Sequence, residues 1–168
     1  MLRALVIRDF VIVERVELET GAGFTVLTGE TGAGKSILVD AIELLVGGRA
    51  EASLVREGAE RAELSAEFDV AGSGDLEGWL AEAGLEGDPG RVILRRTIDR
   101  GGRSRCFVNG HSATLAQLKN AGEHLVDIHG QHEHQSLLRA PAQRALLDAY
   151  GGLDGNAGAV GSAWRVWQ

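Results

Sequence analysis

Eight consecutive residues carry the clearest chemistry of this chain: Gly29-Glu30-Thr31-Gly32-Ala33-Gly34-Lys35-Ser36 satisfies the spacing G-x-x-x-x-G-K-[ST]. Three glycines let the main chain wrap closely enough for successive N–H groups to face phosphate oxygens. A helix opening at the last of them would turn its positive end to the same anion. Lys35 would then reach the β and γ phosphates, and the Ser36 hydroxyl would ligate Mg²⁺. These residues are therefore the candidate site for ATP with Mg²⁺, with Lys35 in a catalytic as well as a binding role. A glycine turn capped by a helix, with no ligand, is the plainer alternative.

The second unusual segment is Asp127-Ile128-His129-Gly130-Gln131-His132-Glu133-His134-Gln135. Three histidines and Glu133 invite a zinc reading, but His132-Glu133 lacks the second histidine of the H-E-x-x-H spacing. A strand delivering a polar loop toward the γ-phosphate fits a P-loop chain better. An amide side chain there can touch Mg²⁺ or the attacking water, and Gln131, just after Gly130, is the candidate. A solvated polar loop capping the next helix is the alternative. Hydrolysis further calls for an apolar strand ending in paired acids. Leu125-Val126-Asp127-Ile128 has one acid only, Ala145–Ala149 reads as helix, and no Leu-Ser-Gly-Gly stretch occurs. The chain holds half of an active site.

Six arginines, Arg91, Arg95, Arg96, Arg100, Arg103 and Arg105, offset only by Asp99, form a basic island. They could meet DNA phosphates or an acidic partner face, or equally form a solvated hairpin with surface ion pairs. Arg49 and Arg56, after the P-loop helix, are weaker candidates for the same contacts.

The elements that must position these residues follow from periodicity. The first 20 residues read as a hairpin, with Leu5 and Ile7 on one strand, Val11, Val13, Val16 and Leu18 on the next, and Arg8-Asp9 or Glu14-Arg15 as the bend. Phe24–Leu27 is a short strand leading into the glycine loop, and Ser36–Val46 is a helix ended by Gly47-Gly48. Residues 63–70 alternate as a strand with one wet face. Val92–Ile98 and Cys106–Val108 are two more strands, with a turn at Asn109-Gly110. Thr114 and Gln117 form a capping box opening a helix. Leu125–Ile128 is a strand candidate, and Ser136–Tyr150 is a helix interrupted or restarted at Pro141. Five glycines in residues 151–161 make a flexible stretch. Ala163–Gln168 then reads either as the first turn of a longer helix or as a frayed terminus.

Composition narrows the function classes. The 168 residues, 44% hydrophobic and 24% charged, have the balance of a globular domain. No apolar run approaches the ~18 residues of a membrane span, and the first residues lack a signal-peptide pattern. One cysteine, Cys106, permits no internal disulfide, so a cytoplasmic chain is expected. A net charge of -7 argues against an autonomous nucleic-acid binder, leaving only local polyanion contacts.

The chain resembles the N-terminal half of the head domain of the RecN family, bacterial DNA-repair ATPases of the SMC-like group. The resemblance rests on the Leu5-x-Ile7-x-x-Phe10-x-Ile12 hairpin, the Thr28–Ser36 loop, Gly47-Gly48-Arg49-Ala50, the Gly102–Gly110 segment and the Asp127–Gln135 run. It implies an α/β P-loop NTPase of ABC/SMC-head type, with a mixed sheet, N-terminal antiparallel strands, and a fold incomplete without a C-terminal half. Residues 1–150 would be the N-terminal half of the head, and 151–168 a glycine-rich linker and the start of a coiled-coil helix. The C-terminal half would supply the signature motif, the Asp-Glu strand and the switch histidine, and a second head would complete a homodimer around two ATP. Gln131 would be the Q-loop glutamine on Mg²⁺ and the lytic water, with Gln135 a nearby alternative. The implied role is ATP-dependent double-strand-break repair on DNA, without membrane, near the nucleoid. A nucleotide-gated interaction module without turnover and an unrelated P-loop NTPase are the competing readings.

Overall fold

The structure, a computed structural model, describes residues 1–29, 34–126, 128 and 140–167. It divides into two units, Met1–Val126 and Asp127–Gln168.

The first unit is built on alternation. Strands β1 (Leu2–Phe10), β2 (Val13–Glu19), β3 (Arg61–Asp69), β4 (Arg91–Asp99), β5 (Ser104–Val108) and β6 (His111–Ala113) form one sheet in the order β2-β1-β3-β4-β5-β6. Every pairing among the described strands is antiparallel. The register stacks Leu5 opposite Ala66, Ala66 opposite Leu94, and Leu94 opposite Val108. Because side chains alternate in strands, this puts Leu5, Ile7, Leu64, Phe68, Leu94, Ile98 and Val108 on one buried face. Each such Leu, Ile or Phe contributes roughly 1.5–3 kcal/mol by leaving water.

Helices α1 (Lys35–Leu45), α2 (Gly74–Glu82) and α3 (Leu115–Leu125) close that core through Ala41, Leu44, Leu45, Leu76, Leu80, Leu118 and Ala121. The opposite face is wet and crossed by diagonal ion pairs between β3 and β4: Arg95 with Glu63 at 2.6 Å, and Arg91 with Glu67 at 2.7 Å. Thr114 caps α3 with the capping box expected from sequence, accepting from the Gln117 N–H at 3.2 Å.

In this unit three expectations change and one strand is new. The hairpin bend lies at Val11-Ile12 instead of at Arg8-Asp9 or Glu14-Arg15. Asp9 and Val11 there have positive φ, uncommon for non-glycine residues, and are held by residues 54–56: Val11 N–H donates to Leu54 O at 2.8 Å and Arg56 N–H to Asp9 O at 2.9 Å. Phe24–Leu27 forms no strand, since no described strand pairs with it and an unpaired strand is not stable; Phe24 stays 99% exposed. Leu125 closes α3 instead of opening a strand. Strand β6, absent from the sequence reading, is three residues long.

The second unit contains α4 (Ala140–Gly151), with Pro141 in its first turn, and α5 (Asp154–Trp167). Residues 136–139 lie outside the described residues. The flexible reading of residues 151–161 is corrected: Gly152, with φ 64, makes the corner, and the glycines beyond it are helical. Glycine costs a helix about 1 kcal/mol against alanine, a preference that does not forbid the helix. Trp164 and Trp167 meet on α5, ring centroids 5.1 Å apart and planes tilted by 43°.

Candidate functional site

The described phosphate-site candidates lie at the N-terminus of α1. Gly34 caps this helix in the left-handed conformation, with φ 82, which a side chain would strain. Among the described residues no side chain caps the end, and no acid sits in the first turn. Within the first turn the Ile37 N–H donates to the Gly34 carbonyl at 3.1 Å, and the positive end of the helix dipole favours an anion at this tip. The Lys35 ammonium donates to the Gly29 carbonyl, so the two ends of the motif are bridged by the motif's own lysine. Ser36 places its hydroxyl at the exposed surface of the same turn. Gly29, Gly34, Lys35 and Ser36 are therefore gathered at one helix end. Glu30, Thr31, Gly32 and Ala33 lie outside the described residues, as do Gln131, Gln135 and the histidines of 129–134.

This donor set fits the triphosphate of ATP, because glycine, uncapped N–H groups and an ammonium concentrate positive potential with no carboxylate in the first turn to oppose it. The Ser36 hydroxyl is of the kind that ligates Mg²⁺ beside such phosphates. Among the described residues no cluster of three His, Cys, Asp or Glu could hold a metal ion unaided.

The other end of α1 is closed. Gly48 N–H donates to Glu43 O at 2.9 Å and Gly47 N–H to Leu44 O at 3.2 Å, the bond pair of a Schellman motif, with Gly47 at φ 103. A Cβ on Gly47 would stand 2.7 Å from Lys119 Cβ, and one on Gly122 would stand 2.6 Å from Val46 Cβ, so α1 and α3 meet through glycines. Arg96, 2% exposed, completes this end: Nη1 donates to Leu44 O and Gly48 O, both at 2.6 Å, and Nε to Ser104 Oγ at 2.7 Å. Burial pulls its guanidinium below its ordinary value, yet arginine remains a cation at neutral pH.

Sequence reasoning counted Arg96 among the surface arginines. The signal was its phase, since Arg96 falls on the same side of β4 as Val92, Leu94 and Ile98. The rest of the island is largely paired. Arg91 and Arg95 meet the glutamates of β3, Arg95 also lies 5.3 Å over the Phe107 ring, Arg103 meets Asp99 at 2.9 Å, and Arg100 donates to the Ala59 carbonyl. Arg56 is bound to Asp9 at 2.8 Å, and Arg49 approaches Glu51 at 3.7 Å, so neither is gathered with the P-loop residues.

The sheet and the lysine at the head of α1 belong to an α/β fold of P-loop NTPase type, and residues 4–139 match the AAA domain model: the chain belongs to that family. Over its whole length it is 49% identical to the DNA repair protein RecN of Xylella fastidiosa and 42% identical to that of Bacillus subtilis. It spans 30% and 28% of those two relatives, respectively. Among solved structures, a chain from a study of ATP-driven dimerisation and DNA-stimulated activation of SMC ATPases superposes with a TM-score of 0.60 at 23% identity. That match covers 87% of this chain and 96% of the other. The likeness shows a shared fold.

Proposed function

We propose that this chain is the nucleotide-binding portion of an SMC-like ATPase head acting in repair of DNA double-strand breaks. The observation that carries the reading is the uncapped, acid-free start of α1, with Lys35 drawn across the loop to Gly29. The RecN relatives, named as DNA repair proteins, support the repair context.

In this reading the main-chain N–H groups of residues 29–36 and the α1 end bind the ATP phosphates. Lys35 neutralises charge that builds on the transferred phosphoryl group, and Ser36 holds Mg²⁺. Gln131 contacts Mg²⁺ and orients the attacking water, with Gln135 the alternative. The acids that complete hydrolysis come from a C-terminal half of the same head, and a second head faces the bound nucleotide. Residues 151–168 lead toward a coiled coil, and the assembly works on DNA at the nucleoid.

Lys35→Ala is expected to abolish MgATP binding in the assembled head, measured by calorimetry. Unchanged affinity would reject the phosphate cradle. Gln131→Ala is expected to slow hydrolysis more than it weakens ATP binding, and equal loss of both would remove it from the water-positioning role.

A further inference from the structure

Three arginines of the sheet hold no partner, and all three stand at one end of its wet face. Register and side-chain alternation fix that face. Arg8 on β1 lies opposite Glu63 on β3, Glu63 opposite Thr97 on β4, and Thr97 opposite Arg105 on β5, so these four form one cross-strand row. Their chain neighbours Ile7, Leu64, Ile98 and Cys106 point to the buried side. Arg61, two residues from Glu63 on β3, shares the face of Glu63. Arg8, Arg61 and Arg105 are exposed, and their side chains make no ion pair or hydrogen bond among the described residues.

By contrast, Arg3, Arg15, Arg91, Arg95 and Arg103 each hold a carboxylate. The acids in register with the unpaired residues are thereby engaged. Glu63, opposite Arg8, accepts from Arg95, while Asp99, opposite Arg61, accepts from Arg103 and closes its turn. Arg8 also lies directly opposite Arg15, a like-charge pair that costs stability in a sheet. An anion from outside relieves that repulsion.

We propose that this end of the wet face binds the backbone of duplex DNA, with Arg8, Arg61 and Arg105 on its phosphates. Arg8 and Arg105 stand three strand spacings apart, about 14 Å. The major groove is ~12 Å wide, so the two guanidinium groups match phosphates on its two rims. Arg61 adds a third contact, offset by two residues along β3. Planar guanidinium forks suit phosphate oxygens, and such contacts position a duplex without reading its sequence. In a chain of net charge -7 the patch acts locally, and binding is expected to be weak and strongly salt-dependent. The choice of DNA over an acidic protein rests on the repair role proposed above.

The test is the anisotropy of a fluorescent 20-base-pair duplex titrated with the assembled head at several KCl concentrations. Arg8→Gln, Arg61→Gln and Arg105→Gln are each expected to weaken binding about threefold or more and to lower the salt slope by about 0.9. Arg3→Gln makes the same change of net charge at the far end of β3, where Arg3 holds Asp69, and is expected to leave binding within about twofold. Arg8→Gln is also expected to keep or raise the urea midpoint, because it removes a like-charge pair, so its lost binding is not lost folding. Losses in Arg3→Gln equal to those in the three variants, or no loss in the three, would overturn the surface. Displacement of the duplex by poly-glutamate at equal charge concentration would overturn the choice of DNA and assign the face to an acidic protein. Calorimetry with MgATP separates this proposal from the nucleotide reading. DNA binding indifferent to the three arginines, beside MgATP binding that needs Lys35, rejects the surface alone, and the converse pair of results rejects the nucleotide site alone.

Discussion

The two ends of α1 are built from the same residue type to opposite purposes. At the C-terminal end, Gly47 and Gly48 are pressed against neighbours, the Schellman bonds are made, and Arg96 holds two carbonyls. At the N-terminal end, Gly34 has the same left-handed backbone, but its nearest described atom is Ile37 Cδ1 at 4.0 Å from a built Cβ, and no described side chain caps the helix. One end is closed by main-chain bonds and a buried guanidinium, and the other carries the left-handed Gly34 and the Lys35 ammonium on the Gly29 carbonyl. A helix that must hold an anion at one tip without sliding needs the other tip clamped, since misplacement of about 1 Å is costly to positioned chemistry.

The largest expected effect breaks the closed end. Arg96→Ala removes one of the largest fully buried side chains and leaves the Leu44 and Gly48 carbonyls short of a donor. A loss of about 3–5 kcal/mol is expected from the cavity and the lost hydrogen bonds together, although the Leu44 carbonyl keeps the Gly47 N–H. Urea denaturation measures it, and a loss below about 1 kcal/mol would mean that the clamp is dispensable. A sharper comparison pairs two glycines of the same backbone class. Gly47→Ala combines left-handed strain with a collision on Lys119 and is expected to cost about 2–4 kcal/mol. Gly34→Ala meets only the strain and is expected to cost about 1–2 kcal/mol while weakening nucleotide binding. Equal stability losses in the two variants would erase the distinction between the ends.

What the sequence disclosed depended on the range of the interaction. The Thr114 to Gln117 capping box, the Gly47 stop and the alternation of β3 are local patterns, and each was legible. Phe24–Leu27 has the composition of a strand, but a strand exists only with a partner, which composition does not contain. The three residues of β6 are too few for periodicity to register. In α5 the glycines argued for a flexible segment, and the helix forms despite them. Of the site, the P-loop motif was readable because its spacing is its mechanism. The clamp was not, since Arg96 meets α1 across 52 and 48 residues of sequence. Only its phase with Val92, Leu94 and Ile98 distinguished it from the exposed arginines beside it.

The smallest expected effect concerns how the closed end is kept in register. Asp99 folds the β4–β5 turn by accepting from Gly101 N–H at 2.8 Å and Arg103 N–H at 3.0 Å, and its second oxygen accepts from Arg103 Nε at 2.9 Å. That turn brings Ser104 to Arg96. The N–H donors, first that of Arg103, hold the Asp99 carboxyl below its ordinary value. A lowered folded value means that the unfolded chain binds more protons in this range, so stability rises with pH. The contribution is complete above the ordinary aspartate value of about 3.9 and is lost as pH falls through the lower folded value. Asp69, lowered chiefly by the Ala71 N–H, shifts the same way but sits at the far end of β3, so it is common to wild type and variant. The difference in urea midpoint between the wild-type chain and Asp99→Asn is therefore expected to be largest near pH 6 and to shrink below pH ~4. Midpoints that stay parallel from pH 6 to pH ~2.5 would show that the turn does not depend on the carboxylate. The clamp on α1 would then rest on Arg96 and the glycine contacts alone.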